Sequence, residues 1–299
     1  MCPMTDAAPD HRTPNSTVAA LAADGSRSTE DESVRLLRRS QLPPHEAERL
    51  IRAVTGASRA EVVGGILLDR RSADEFRRLA ARRLAGEPLQ YLEGTVQFGP
   101  LTLEVDRRVL IPRPETEQLW ELAMQLLPRG SSIVVDMGTG SGCLALAIKH
   151  ERPDATVLAT DISLEAVAVA RNNAARLDLD VEFRHGNRLA ALDPSLAGSV
   201  TMIVTNPPYI PEDEWAQLPR EIREHEPKVA LVVGDGLDMY RYLANDARGW
   251  LAPGGILVTE IGAGQGEAVH RLFAGRGWKP RVSIDWTGRD RFLTARKRT

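Results

Sequence analysis

From residue 114 onward the chain switches at regular intervals between two hydrophobic periods. Short apolar runs at Ser132–Val135, Thr156–Ala159, Val181–Phe183, Val200–Val204 and Ile256–Ile261 have strand length. Between and around them lie longer stretches with apolar positions three and four apart: Glu115–Leu127, Cys143–Lys149, Leu164–Leu177, Leu237–Leu251 and Gly266–Phe273. The first kind predicts strands buried on both faces and the second predicts amphipathic helices. Two further strands are expected near 281–285 and 291–295. Repeated strand–helix alternation predicts an α/β fold, a doubly wound and mostly parallel sheet. No internal repeat is evident.

The first third of the chain reads differently. Residues 1–29 are rich in Ala, Asp, Ser, Thr and Pro without sustained periodicity, which predicts a disordered extension. Residues 30–92 read as a small helical domain. Leu36 and Leu37 sit in a charged helical stretch, and Pro43-Pro44 opens a second helix through Ala47, Leu50, Ile51 and Val54 that Gly56 closes. A third runs through Val62, Val63, Ile66 and Leu67. A fourth starts at Ser72 with Glu75 as a capping box and stops at Gly86. Arg70, Arg71, Arg77, Arg78, Arg82 and Arg83 cluster there, as a solvated face or as a docking surface for an acidic or RNA-bearing partner. Over 93–113 the pattern alternates around Gly99-Pro100, which predicts a β-hairpin linker before the α/β domain of 114–299.

Composition narrows the function classes. A 299-residue chain with 42% hydrophobic residues buries a core without staples. Its two cysteines, Cys2 and Cys143, have no metal-site or redox spacing, so a reducing, cytoplasmic setting fits and no metal is expected. No apolar run is long enough to span a membrane, and the N-terminus has no secretory h-region. A net charge of −3 argues against gripping nucleic acid by bulk charge.

The first chemical motif leaves a strand and enters a helix: Val135-Asp136-Met137-Gly138-Thr139-Gly140-Ser141-Gly142. Gly138 and Gly140 permit positive φ and close approach of a ligand to the backbone. Gly142 is expected to pack where the helix meets the strand. Asp161 ends the next strand, where an acid accepts hydrogen bonds from ribose hydroxyls. Such a loop serves NAD or S-adenosylmethionine. The G-x-G-x-G spacing favours the latter, as does Asp136, which would hold an ammonium and repel a pyrophosphate. A purely structural βα turn is the plainer alternative.

The second motif is Asn206-Pro207-Pro208-Tyr209, after the strand that should lie beside the glycine loop. An amide or aromatic amine is a poor nucleophile because its lone pair is delocalised. Two acceptors that fix its N–H bonds aim the remaining lobe at a methyl donor. Asn206 offers a side-chain carbonyl and Pro207 a backbone carbonyl, on a loop that the prolines stiffen. Tyr209 is expected to lie flat over the planar group.

With these residues in view, the chain resembles the release factor glutamine N5-methyltransferases of the PrmC/HemK type. The resemblance rests on Gly86-Glu87-Pro88-Leu89-Gln90-Tyr91-Leu92 with Gly94, and on Ile111-Pro112-Arg113-Pro114-Glu115-Thr116-Glu117. It includes the glycine loop, Asp161, Asn206 to Ile210, Glu226-Pro227, Ala230-Leu231, Gly254-Gly255 and Gln265-Gly266. It implies a class I, Rossmann-like methyltransferase domain behind the helical domain and hairpin. Asp136, Gly138, Thr139, Gly140, Ser141, Gly142, Asp161 and Asn206 would then meet S-adenosylmethionine, leaving S-adenosylhomocysteine as product. Asn206, Pro207, Pro208 and Tyr209 would hold the glutamine of the Gly-Gly-Gln motif of class 1 peptide chain release factors, with Arg113 and Glu117 at the entrance. A monomer without direct nucleic-acid contact is expected.

One pair departs from that family. Many relatives carry Asp and an aromatic residue where this chain has Asn187-Arg188. Asn187 still offers a carbonyl to an adenine amino group, and Arg188 offers a guanidinium face for stacking. The departure leaves open a paralogue acting on another amide or amine: a ribosomal-protein glutamine, a small molecule, or adenine N6 of nucleic acid. A silent binding module and an NAD-dependent dehydrogenase are the other classes.

Overall fold

The computed structural model describes residues 39–297. The extension of 1–29 and the stretch around Leu36 and Leu37 lie outside them. The chain divides into two compact units at Arg77/Arg78.

The first unit holds α1 (Pro44–Thr55), α2 (Arg59–Gly64) and the start of α3 (Arg70–Leu84). Helix α1 behaves as its sequence predicts. Pro44 sits in its first turn, and Gly56 ends it in the left-handed conformation with its N–H on the Arg52 carbonyl. Two local expectations fail. The third helix stops at Gly64 because Gly65 turns away at φ 93° and caps onto the Val62 carbonyl, which leaves Leu67 exposed. The capping box expected at Ser72 is absent. Asp69 takes the cap instead, its Oδ1 accepting from the Ser72 amide at 2.7 Å, and α3 begins two residues earlier. A capping box does form at Ser58 and Glu61, which head α2.

The second unit carries the sheet. After α3, Pro88 starts the short α4 (Leu89–Glu93) and Gly94 ends it at φ 74°. Strands β1 (Thr95–Phe98) and β2 (Leu101–Glu104) form the expected hairpin, with Phe98 opposite Leu101. Its turn is held from outside, since the Gly99 amide donates to Glu117 Oε1 at 3.0 Å. Glu117 belongs to α5 (Pro114–Leu126).

The remaining elements follow the predicted alternation: β3 (Ile133–Met137), α6 (Cys143–Glu151), β4 (Thr156–Asp161), α7 (Leu164–Leu177), β5 (Glu182–His185) and β6 (Val200–Thr205). A short helix, α8 (Arg220–His225), precedes α9 (Asp238–Trp250), β7 (Leu251–Glu260), α10 (Gly266–Ala274), β8 (Trp278–Ile284) and β9 (Asp290–Lys297). The seven-stranded sheet has the order β5-β4-β3-β6-β7-β9-β8. Strands β3 to β7 pair in parallel, and β9 runs antiparallel to both its neighbours.

Successive side chains of a strand point to opposite faces. Val134, Met202 and Val258 therefore join a core with α5, α6 and α7, while Val135, Ile203 and Leu257 join one with α9 and α10. Both faces are covered, which is why these strands read as continuous apolar runs. Chain order reverses at β3, which pairs with β4 on one side and β6 on the other. A crevice at the carboxyl ends of β3 and β6 is the place where open α/β sheets take ligands.

Candidate active site

The glycine loop is built around a buried acid. Asp136 is fully buried at the end of β3. Its Oδ2 accepts from Thr139 Oγ1 at 2.7 Å and from the Ala145 amide at 3.2 Å, so it holds the loop and the first turn of α6 together. Oδ1 is buried and accepts no hydrogen bond. Burial pushes this carboxyl up to about 7, against the opposing pull of the Thr139 and Ala145 hydrogen bonds. The Gly138 and Thr139 amides donate to the Thr160 carbonyl, which pins the loop to β4.

The three glycines have different reasons to be glycine. Gly138 and Gly140 have φ of 76° and 55°, with open space where a side chain would project. Gly142 has φ 87° and is the N-cap of α6. A Cβ there would stand 3.0 Å from Leu146 and 3.2 Å from Ala170, so the space a side chain would need is already taken by α6 and α7.

Asp161 ends β4 and binds the loop from the other side. Its Oδ2 accepts from the Gly140 amide and its Oδ1 from the Ser163 amide, both at 2.9 Å. Burial raises its carboxyl, and those backbone amides pull it back. Each oxygen keeps acceptor capacity beyond these single bonds.

A cavity of about 360 Å³ opens between these elements. Gly138, Gly140, Asp161, Asn187, Arg188 and Asn206 all line it, with Pro207 and Pro208. The two sequence motifs therefore meet in one crevice. Val109, Leu110, Val229 and Val232 make much of its wall apolar. Arg188 has an unusual left-handed backbone, φ 58°. Its guanidinium lies 4.6 Å from the centre of the Tyr242 ring on α9, so one of its faces is already stacked.

Other expected site residues do not reach the cavity wall. Thr139 is turned onto Asp136, and the Ser141 carbonyl accepts from Asn173 at 3.0 Å. Buried Asn173 also bonds both the amide and the carbonyl of Glu104, which ties the hairpin to the loop and α7. The Arg113 guanidinium is taken by Glu226, a buried carboxylate 2.5 Å away that also accepts from the Ile111 amide. Glu117 is taken by the Gly99 amide. Arg113 and Glu117 thus brace the linker and hairpin and are not placed at the cavity lining. Tyr209 is likewise outside the cavity lining. Its hydroxyl donates to Glu260 Oε1 at 3.1 Å and its ring packs on the core beside α9, so it anchors the loop from behind.

Three residues to which the sequence assigned no role, Thr116, Glu260 and Gln265, complete this anchor. Asn206 Nδ2 donates to Thr116 Oγ1 at 2.9 Å, and Thr116 Oγ1 donates to Glu260 Oε2 at 3.1 Å. Gln265 Nε2 donates to the Tyr209 carbonyl at 2.9 Å and to the Gly236 carbonyl at 3.3 Å. Burial raises the Glu260 carboxyl to about 7, opposed by its Thr116 hydrogen bond and by the charge of Arg291. The available signal was an acid inside the run Ile256 to Ile261, whose other residues are apolar except Thr259.

The sheet order and this crevice define the doubly wound fold of class I methyltransferases. A solved methyltransferase from Pyrococcus furiosus shares it, with a TM-score of 0.52 and 18% identity over 73% of this chain and 96% of that one. So does the 16S rRNA N2 G1207 methyltransferase of T. thermophilus, with a TM-score of 0.50 and 20% identity over 68% of this chain and 50% of that one. The profile of the methyltransferase small domain matches residues 120–222, and that of the PrmC N-terminal domain matches residues 31–94. Release factor glutamine methyltransferase of Deinococcus radiodurans is 44% identical over 218 residues, 72% of this chain and 77% of that protein. Its counterpart in Streptomyces coelicolor is 39% identical over 263 residues, 85% of this chain and 91% of that protein. The chain belongs to the release factor glutamine methyltransferase family.

Proposed function

We propose that this protein transfers a methyl group from S-adenosylmethionine to the side-chain N5 of the glutamine in the Gly-Gly-Gln motif of class 1 peptide chain release factors. The observation that carries the reading is the meeting of Asn206 and Pro207 with the glycine loop in one cavity, with the Asn206 nitrogen already committed to Thr116. That bond turns the Asn206 carbonyl oxygen, not its NH₂, into the free end of the side chain.

The residues present fit the cofactor. The cradle at Gly138 and Gly140 is open where a side chain would stand, and the Asp161 carboxylate faces it with spare acceptor capacity for ribose hydroxyls. Asp136 is sealed beneath the loop, so its service to the methionine end is to hold the Thr139 and Ala145 groups in place. Asn187 and Arg188 supply the wall for the adenine. S-adenosylmethionine supplies, when bound, an electrophilic methyl carbon.

Everything else is positioning. The Asn206 carbonyl and the Pro207 carbonyl accept the two N–H bonds of the target amide and hold its plane. Pro207 and Pro208 keep those acceptors from moving, so little reorganisation accompanies reaction. The amide proton is lost once the nitrogen has become acidic, so no side-chain base is needed before attack. Proximity and orientation provide most of the acceleration.

In this reading the helical segment of 30–92 meets the release factor, 93–113 links it to the catalytic domain of 114–299, and the enzyme works as a cytoplasmic monomer without nucleic acid. No helix among the described residues is long and apolar enough to cross a membrane. The test is incubation with purified release factor and S-adenosylmethionine, followed by mass spectrometry. A gain of about 14 daltons on the Gly-Gly-Gln glutamine is expected. Unmodified glutamine, with label on another amide or amine, overturns the substrate.

A further inference from the structure

We infer that Glu260 and Thr116 form a positioning relay that sets which end of the Asn206 carboxamide faces the cavity. The inference rests on the reading of Asn206 as the acceptor for the target amide. Its geometry is a chain of three groups from separate parts of the fold. Thr116 lies in the first turn of α5, Glu260 ends β7, and Asn206 follows β6. Thr116 and Glu260 are buried to 3% and 1% exposure, so water does not compete for their hydrogen bonds.

Counting protons gives the direction. An ionised carboxylate only accepts. Glu260 accepts a hydrogen bond from the Tyr209 hydroxyl on Oε1 and from the Thr116 hydroxyl on Oε2. A hydroxyl has one proton, so the Thr116 oxygen is left able only to accept. It accepts from the Asn206 NH₂. Turning the Asn206 amide over would set its carbonyl against an oxygen with no proton to give, and would present an NH₂ donor to the substrate. Protonated Glu260 removes this bias. With its proton on Oε2 it donates to Thr116, whose own proton is then free to meet either end of Asn206.

Several groups surround this carboxylate. Arg291 on β9 attracts it while also bonding Asp285 and the Ile261 carbonyl. Glu115 on α5 repels it. The Tyr240 hydroxyl on α9 donates to its main-chain carbonyl, and the Cys143 thiol on α6 feels its charge. Burial outweighs their sum and leaves the carboxyl at about 7, so the biased form gains population as pH rises through neutrality.

The full-length enzyme is tested in three variants: Thr116→Val, Thr116→Ser and Glu260→Gln. With a Gly-Gly-Gln peptide, the valine and glutamine variants should lose about 10- to 100-fold in kcat, while S-adenosylhomocysteine affinity by calorimetry stays within about twofold of wild type. Serine restores the hydroxyl and the rate. Wild-type kcat should rise with pH through an ionisation near 7 that both weakened variants lack. Wild-type kcat in Thr116→Val, or the same ionisation in Glu260→Gln, overturns the relay. A second readout needs no turnover. The ¹⁵N-resolved Asn206 side-chain protons should titrate near pH 7 in wild type and not in Thr116→Val; titration persisting in the variant overturns the relay. If the wild-type enzyme leaves the peptide unmethylated, the substrate reading fails and this second measurement still decides the relay.

Discussion

Asn206 and Thr116 stand 90 positions apart in the chain, yet the amide nitrogen of one lies 2.9 Å from the hydroxyl oxygen of the other. The contact joins the cavity loop after β6 to the first turn of α5. It gives the carboxamide a polarity, and the proposed chemistry depends on that polarity.

Replacing Asn206 with Ala removes one of two acceptors for the target amide. Preorganised polar groups of this kind are worth about 10²–10³ in kcat. Single-turnover methylation should fall by that order, with S-adenosylhomocysteine affinity unchanged in calorimetry. A variant with the parental rate would contradict the acceptor assignment.

Asp161→Ala should act on the other partner. Hydrogen bonds to a charged group contribute about 1.5–3 kcal/mol each, so cofactor affinity should drop at least about tenfold. The Gly140 and Ser163 amides lose their acceptor too, and hydrogen exchange at both should accelerate. Undiminished affinity in isothermal titration would remove Asp161 from the cofactor site.

Arg113→Ala should damage stability more than cofactor binding. Its partner Glu226 is buried and would be left without a cation. Breaking such a pair costs about 3–5 kcal/mol, and the partial exposure of Arg113 places the expected loss at the lower end. Denaturant titration checks this. An intact midpoint with weakened binding of the release factor would return Arg113 to the entrance, as the sequence alone suggests.

Asp136 makes a signed prediction about pH. Its carboxyl sits at about 7 when folded, against an ordinary 3.8. The folded state therefore binds this proton more tightly than the unfolded chain. Its contribution to stability is complete below about pH 4 and is lost as pH rises through about 7. Asp136→Asn keeps the acceptor for Thr139 and Ala145 but has no proton to lose. Its stability relative to wild type should grow across that window. Parallel urea-unfolding curves for the two proteins from pH 4 to 8 would refute the burial argument.

Much of the fold was legible because its signals are local. Strand and helix periods predicted β3 to β7 and their helices, and Gly99-Pro100 marked the hairpin. Local reading failed where two local solutions competed. Asp69 and Ser72 both suit a helix cap, and the nearer glycine pair ended α2 before Ile66 and Leu67 could extend it.

The sequence by itself determined the parallel sheet, the glycine cradle, the acid at Asp161 and the stiff Asn206 loop. Each needs only residues that are close in the chain: an apolar period, a positive φ, a proline's fixed φ. The tertiary structure decided which side chains touch across the sheet. It gave Arg113, Glu117 and the Tyr209 hydroxyl partners within the protein, and it set Glu260, Thr116 and Gln265 behind the loop. A buried polar group must find a partner, and which partner lies within 3 Å or so depends on how distant elements pack.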